Sequence, residues 1–365
     1  MRSRPGIASF PPVIGTNPYQ RLLYEHLIPH DLYLVPRSRL SFGMLIRERH
    51  RVGVLHFHWP QGCYQQPRGP RWVRVLLSWP RIALFAVRLL VARALSYRVM
   101  WTVHQVIPHE PLSRYVDIAG ARVLAAASNV LIVHDKATER SGRALLGRSG
   151  RRISVLAHGS YIGAYPPGRD RSAVREALDI PASAFVVLAF GMIRAYKGSS
   201  LLLDAFQRAD IEDAVLIFAG PALGAAAAPI EAAARQDPRI RTLLGYVEDE
   251  DVTGLFAAAD VAAISRHDGG TSGAIILAMS MGVPVVTARL PAYEDLLGGG
   301  SAGWLFEPGD SAAFAAALVA ARTDPLAAER GREALRRAEG LRWDETASGI
   351  AGLLGPSRAR ARPSG

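Results

Sequence analysis

Twelve short apolar runs, each followed by a Gly-rich or polar turn and then an amphipathic stretch, set the tightest limit on what this chain can fold into. That alternation marks parallel strands covered by helices. In the first half the candidate strands are residues 7–10, 32–35, 52–58, 98–104, 130–133 and 154–157. In the second they are 185–191, 214–219, 239–243, 261–264, 283–287 and 303–306. A chain of 365 residues exceeds the usual size of one domain, so each half builds its own core. The expected fold is α/β, with two Rossmann-like doubly wound parallel-sheet domains facing a cleft. Residues 165–170 carry two prolines and a glycine and read as the linker. The expected division is a first Rossmann-like domain at 1–165, a second at 166–340, an amphipathic helix at 341–355 and a disordered tail at 356–365.

A composition of 49% hydrophobic and 21% charged residues excludes a predominantly disordered chain. Its net charge of +11 is uneven: residues 1–165 hold 23 Lys+Arg against 7 Asp+Glu, and residues 166–365 hold 20 against 25. An anionic partner is therefore expected at the first half. Cys63 is the only cysteine, so neither an intramolecular disulfide nor a cysteine-based zinc cage can form. The first thirty residues lack the pattern of a secretory signal, and a reducing cytoplasm is the expected setting.

Residues 72–97 are the most apolar stretch, but Arg74, Arg81, Arg88 and Arg93 interrupt it, and no run reaches the roughly 18 to 20 apolar residues of a spanning helix. The first three arginines recur every seven residues and share a helix face, flanked by Trp72, Trp79, Leu84, Phe85 and Leu89. Pro80 is expected to kink the helix. Two readings stay open, an interfacial element on anionic lipid at the inner face of the cell membrane or a surface helix packed on the first sheet.

Residues 189–198, Ala-Phe-Gly-Met-Ile-Arg-Ala-Tyr-Lys-Gly, follow an apolar strand and precede a helix-like stretch. Gly191 permits a close turn, while Arg194 and Lys197 project two positive charges. A diphosphate leaving group requires such charge, because negative charge builds on it as a glycosidic bond breaks. Ser265-Arg-His-Asp-Gly-Gly-Thr-Ser-Gly273 follows the strand at 261–264 and opens a helix. There Gly269, Gly270 and Gly273 let backbone approach a ligand, and the amides of Thr271, Ser272 and Gly273 favour an anion.

The pairing of Gly191-Met-Ile-Arg-Ala-Tyr-Lys-Gly198 with Gly269-Gly-Thr-Ser-Gly and Ala278-Met-Ser-Met-Gly-Val-Pro-Val-Val286 resembles family 4 of the GT-B glycosyltransferases, the glycosyl transferases of group 1. The resemblance covers most of residues 180–320; the first half is similar in layout and a few short motifs. It implies that Arg194 and Lys197 bind the donor diphosphate and that Ser272 and Gly273 hold phosphate oxygens. One departure stands out: the family's Glu-x7-Glu pair is replaced by Gly269 and Leu277. Asp268 and Glu294 are the candidates to compensate in donor binding.

Three motifs end candidate strands of the first half, where a parallel sheet presents ligands. Gly15-Thr-Asn-Pro-Tyr-Gln20 resembles the family's acceptor-side loop, with Asn17 and Tyr19 available to sugar hydroxyls. His58 and Trp59 end the strand at 52–58 and join the acceptor candidates. His104 ends the strand at 98–104, and the resemblance implies that it contacts the donor sugar. His109 and Glu110 follow Pro108, and either is the candidate base if the reaction inverts. His158 precedes Gly159 where the family turns into its second domain, either reaching the cleft or packing. His58, His104 and His109 lack regular metal-ligand spacing, so no metal is expected.

The expected function is transfer of a sugar from a nucleotide diphosphate sugar to a hydroxyl of a glycan or lipid-linked saccharide, with no cofactor beyond the donor. The alternative is a catalytically inactive GT-B-like glycan- or membrane-binding protein. No Gly-x-Gly-x-x-Gly turn follows a first strand as an oxidoreductase requires, and no nucleic-acid recognition motif is evident.

Overall fold

The computed structural model describes residues 6–13, 18–36, 39–266 and 268–355. It contains two units, one formed by residues up to Gly159 together with those from Arg342 onward, the other by Ser160–Leu341. In the first unit β1 (Gly6–Phe10), β2 (Tyr33–Leu34), β3 (Val52–Phe57), β4 (Arg98–Thr102), β5 (Val130–Val133) and β6 (Ile153–Val155) form one sheet of order β2-β1-β3-β4-β5-β6. In the second, β7 (Phe185–Phe190), β8 (Ala214–Ala219), β9 (Ile240–Leu243), β10 (Val261–Ile264), β11 (Val285–Ala288) and β12 (Gly303–Phe306) form another of order β12-β11-β10-β7-β8-β9. All paired strands are parallel. The two-domain α/β fold read from the alternation is the one observed.

Burial on both faces explains why these strands are continuous apolar runs instead of alternating ones. All six residues of β8 are buried, and Phe218 packs with Leu202 and Phe206 of the helix Ser199–Ala209 and with Phe314 of the helix Ser311–Thr323. In the first unit Leu55, Phe57 and Trp101 form the core with Phe85 and Leu89.

The boundary between the units differs from the expected linker at 165–170. The Tyr161 amide donates to Ser280 Oγ at 2.9 Å, and Thr253 Oγ1 donates to the Pro166 carbonyl at 2.9 Å, so this segment is tied into the second unit. Nor is the C-terminal helix Trp343–Leu354 a separate piece. Thr346 Oγ1 donates to the Ala157 carbonyl at 2.6 Å, and Trp343 lies against Tyr19, so the helix completes the first unit. Residues 356–365 lie outside the described residues.

The helix Arg71–Ala94 also departs from expectation. Pro80 lies inside it, and by length and composition the helix is apolar enough to cross a membrane. One face nevertheless packs into the first unit through Ile82, Phe85 and Leu89. Arg74 and Arg81 do not flank an outward apolar strip: their Nε atoms donate to the carbonyls of Gln66 and Gln65 at 3.1 and 3.0 Å.

Candidate active site

The carboxyl ends of β7 and β10 lie side by side where the strand order of the second sheet reverses, the point at which open parallel sheets bind ligands. β7 leads into Gly191 and a 3-10 turn at Ala195–Lys197. Gly198 closes that turn with φ 77°, and a Cβ on it would lie 2.5 Å from the Ser265 carbonyl oxygen. Ser265 Oγ donates to the Lys197 carbonyl at 2.7 Å. The two turns singled out in the sequence are thus held directly against each other. Gly198→Val combines a left-handed backbone with a clash, and is expected to cost about 1–3 kcal/mol, read as a lower urea midpoint at unchanged slope.

Three cations gather on these turns. Burial, followed by the charges of Arg266 and Arg194, brings the Lys197 ammonium down to about 8. Cations crowded in this way favour an anion among them, because it restores the charged state of the lysine. Arg266 was not singled out by the sequence reading. Its Nε lies 3.2 Å from Asp268 Oδ1, and its guanidinium carbon sits 6.0 Å from the Tyr196 ring centroid. The guanidinium fills the space that a side chain at position 269 would take, and Gly269 has φ 107°. Its place in the loop after β10, three residues before Gly269, gave no sign of this packing. Arg194 Nε approaches Met192 Sδ at 3.2 Å.

The helix Gly273–Ser280 starts at the same loop, after Gly270 and Thr271, with Ser272 as its N-cap. Ser272 Oγ accepts from the Ile275 amide at 3.4 Å. Its oxygen accepts this capping bond while its O–H can still donate, so both the hydroxyl and the first-turn amides are suited to a phosphate. The two carboxylates offered as substitutes for the missing glutamates are both ion-paired. Asp268 holds Arg266, and Glu294, on the helix Pro291–Leu296, meets Arg289 at 2.7 Å. Both carboxylates remain partly exposed, at 50% and 40%.

In the first unit the structure revises the acceptor-side expectations. Asn17 lies outside the described residues. Tyr19 is buried in the helix Pro18–Leu27, and its hydroxyl bonds His134 Nε2 at 2.8 Å. His58 is also buried, and both of its ring nitrogens are engaged, Nε2 with the Tyr24 hydroxyl at 3.0 Å and Nδ1 with His104 Nε2 at 3.3 Å. Both residues hold the unit together instead of facing a sugar. His158 packs as well, with Nδ1 2.7 Å from the Gly159 carbonyl.

Together His56, His58, His104, His134 and His158 form a cluster that spacing alone does not reveal, because β3, β4, β5 and the segment after β6 each contribute. Tyr24 links His56 and His58, and Tyr19 touches His58, His104, His134 and His158. Burial, reinforced by their mutual repulsion, lowers His56 to about 3 and holds His58 and His104 well below the usual imidazole range. Burial also lowers His158 to about 3. His104 therefore serves as a neutral hydrogen-bonding ring and a poor base at neutral pH. It is partly exposed and stacks on Trp59 at 4.6 Å and 10°, so Trp59 and His104 are the open members at the ends of β3 and β4. His109, partly buried, and Glu110, exposed, follow in the loop after β4. Among the described residues no three His, Cys, Asp or Glu side chains are arranged to hold a metal ion.

Residues 184–324 match the family model described as Glycosyl transferases group 1. A GDP-mannose:glycolipid 4-beta-D-mannosyltransferase of Xanthomonas campestris pv. campestris is 29% identical over 333 residues, covering 88% of this chain and 83% of the relative. A D-inositol 3-phosphate glycosyltransferase of Xylanimonas cellulosilytica is 27% identical over 364 residues, covering 93% and 82%. Among solved structures, HepE of Anabaena in complex with UDP-glucose superimposes with a TM-score of 0.74 at 18% identity, covering 96% of this chain and 99% of its own. The sucrose-phosphate synthase of Thermosynechococcus elongatus gives 0.71 at 17%, covering 96% and 98%. At such identities these structures establish the shared fold.

Proposed function

Residues 184–324 make the chain a member of the group 1 glycosyl transferases, a nucleotide-sugar-dependent glycosyltransferase, and from that premise we propose that it moves a sugar from a nucleotide diphosphate sugar to a hydroxyl of a glycan or lipid-linked saccharide. The observation that supports this reading is that the turn bearing Arg194 and Lys197 is tied by the Ser265 to Lys197 hydrogen bond to the loop that opens the helix Gly273–Ser280, at the switch point of the second sheet. Two cations and a helix terminus neutralise the departing diphosphate, and the reaction is read as needing no resident cofactor. The name of the Xanthomonas campestris relative supports a guanosine nucleotide sugar and a glycolipid acceptor. Trp59 and His104 are the candidates to meet the sugars, and Glu110 or His109 the candidate to take the acceptor's proton if the reaction inverts. The working place on this reading is the cytoplasmic face of a membrane.

One observation favours a second reading, an inactive relative that only binds glycans or lipid: the glutamate positions are Gly269 and Leu277. Incubation with a panel of guanosine and uridine diphosphate sugars, with and without a lipid-linked saccharide, separates the two. The enzyme releases nucleoside diphosphate faster when acceptor is present. Binding of donor or lipid with no release from any of them leaves the inactive relative.

A further inference from the structure

The helix Arg71–Ala94 is partnered on one face only. Ser78, Ile82, Phe85, Leu89 and Ala92 are buried in the first unit. Trp72, Leu76, Trp79, Val87 and Leu90 are exposed, with Trp72 at 71%, Leu76 at 61% and Leu90 at 66%. Positions 72, 76, 79, 83, 87 and 90 follow each other at steps of three or four, so they form one stripe, and position 83 is an exposed alanine. At about 1.5 Å per residue the stripe is roughly 27 Å long. Phe42 and Ile46, on the neighbouring helix Phe42–Arg47, are exposed as well, and Arg88 lies over the Phe42 ring. A contiguous apolar surface of this kind marks a place of contact with something else.

The surrounding charge identifies the occupant. The helix carries Arg71, Arg74, Arg81, Arg88 and Arg93 and neither Asp nor Glu, and Arg71 and Arg93 are exposed at its two ends. A second copy of the chain fits poorly, because a two-fold contact sets this basic zone against itself. Crossing a bilayer is opposed by the packed inner face. Indole rings suit the headgroup layer, aliphatic side chains enter just beneath it, and a cationic rim attracts anionic lipid.

We propose that the outward face of the helix Arg71–Ala94 seats the first unit on an anionic bilayer surface, with Trp72, Leu76, Trp79, Val87 and Leu90 entering the interfacial layer. This deepens the membrane placement stated above by naming the surface and the lipid chemistry, and its test is independent of sugar transfer. Sedimentation of the full chain with vesicles of phosphatidylglycerol and phosphatidylcholine, and with phosphatidylcholine alone, reads the interaction directly. Binding is expected to the mixed vesicles and to weaken in 0.5 M salt as charges are screened. The triple variant Leu76→Ser, Trp79→Ser, Leu90→Ser is expected to lower the vesicle partition by about 10-fold or more, with nucleoside diphosphate binding unchanged as the check on folding. Absence of wild-type binding to either vesicle, in protein that still releases nucleoside diphosphate, overturns the proposal and leaves the enzyme reading intact. Equal binding by wild type and triple variant also overturns it. So does light scattering that shows a dimer dissolved by the triple variant.

Discussion

Arg194→Ala and Lys197→Ala are each expected to lower kcat/KM for nucleotide-sugar turnover by roughly 100- to 1,000-fold. Both charges sit on a turn held by the Ser265 to Lys197 hydrogen bond, so they are in place before the leaving group charges up. Losing one removes an interaction that strengthens as the glycosidic bond breaks, and the loss should appear mainly in kcat. Lys197 adds a pH signature. Burial and the neighbouring arginines bring its ammonium down to about 8, so the charged form is lost as pH rises through that value. For wild type, kcat/KM should fall above about pH 8. In Lys197→Arg, whose guanidinium stays charged, that limb should move beyond the accessible range. A profile unchanged by Lys197→Arg removes this lysine from the account.

Acid should unfold the first unit. The buried rings of His56, His58 and His158 are neutral in the folded protein, with burial the main cause and, for His56 and His158, values of about 3. An unfolded histidine takes up its proton near 6.5. Folded proton affinity is thus below the unfolded one, and the associated stability is present above about pH 6.5 and lost as pH falls toward 3. Each such histidine contributes a slope of about 1.4 kcal/mol per pH unit within that window. Only these three are counted, because His104 and His134 are partly open to solvent. His56 and His158, the two with values of about 3, together reach about 3 kcal/mol per pH unit, with His58 adding in the same direction, against a total stability of about 5–15 kcal/mol for a domain. Urea midpoints should therefore fall steeply below pH 6, with unfolding in buffer alone by about pH 4. His158→Gln should give a shallower slope, and a flat profile from pH 7 to 4 contradicts the neutral cluster.

The strands were legible because burial on both faces writes each as a continuous apolar run. For β5, β8, β10 and β12 the expected and observed limits agree residue for residue. Turn chemistry was legible for the same local reason, since Gly191, Gly198 and Gly269 all adopt positive φ. What escaped was set by contacts distant in sequence. Five histidines spread over residues 56–158 form one cluster only once the parallel strands stand side by side. Tyr19 and His58 read as sugar ligands because strand ends present ligands, yet their partners in the cluster consume them. Periodicity located the shared face of Arg74 and Arg81, but Gln65 and Gln66 turn their guanidinium groups aside and leave the apolar stripe outermost. Arg266 was overlooked because no local pattern announces that a glycine at 269 makes room for a guanidinium.

The most direct test of the phosphate site is calorimetric titration of the chain with a nucleoside, its monophosphate and its diphosphate, in wild type and in the double variant Arg194→Ala, Lys197→Ala. Wild type should gain affinity with each phosphate, with the diphosphate at least about 100-fold tighter than the nucleoside, and the double variant should lose most of that gain. Equal affinity for all three ligands in wild type, or a phosphate preference that survives in the double variant, contradicts the assignment of these cations to the diphosphate.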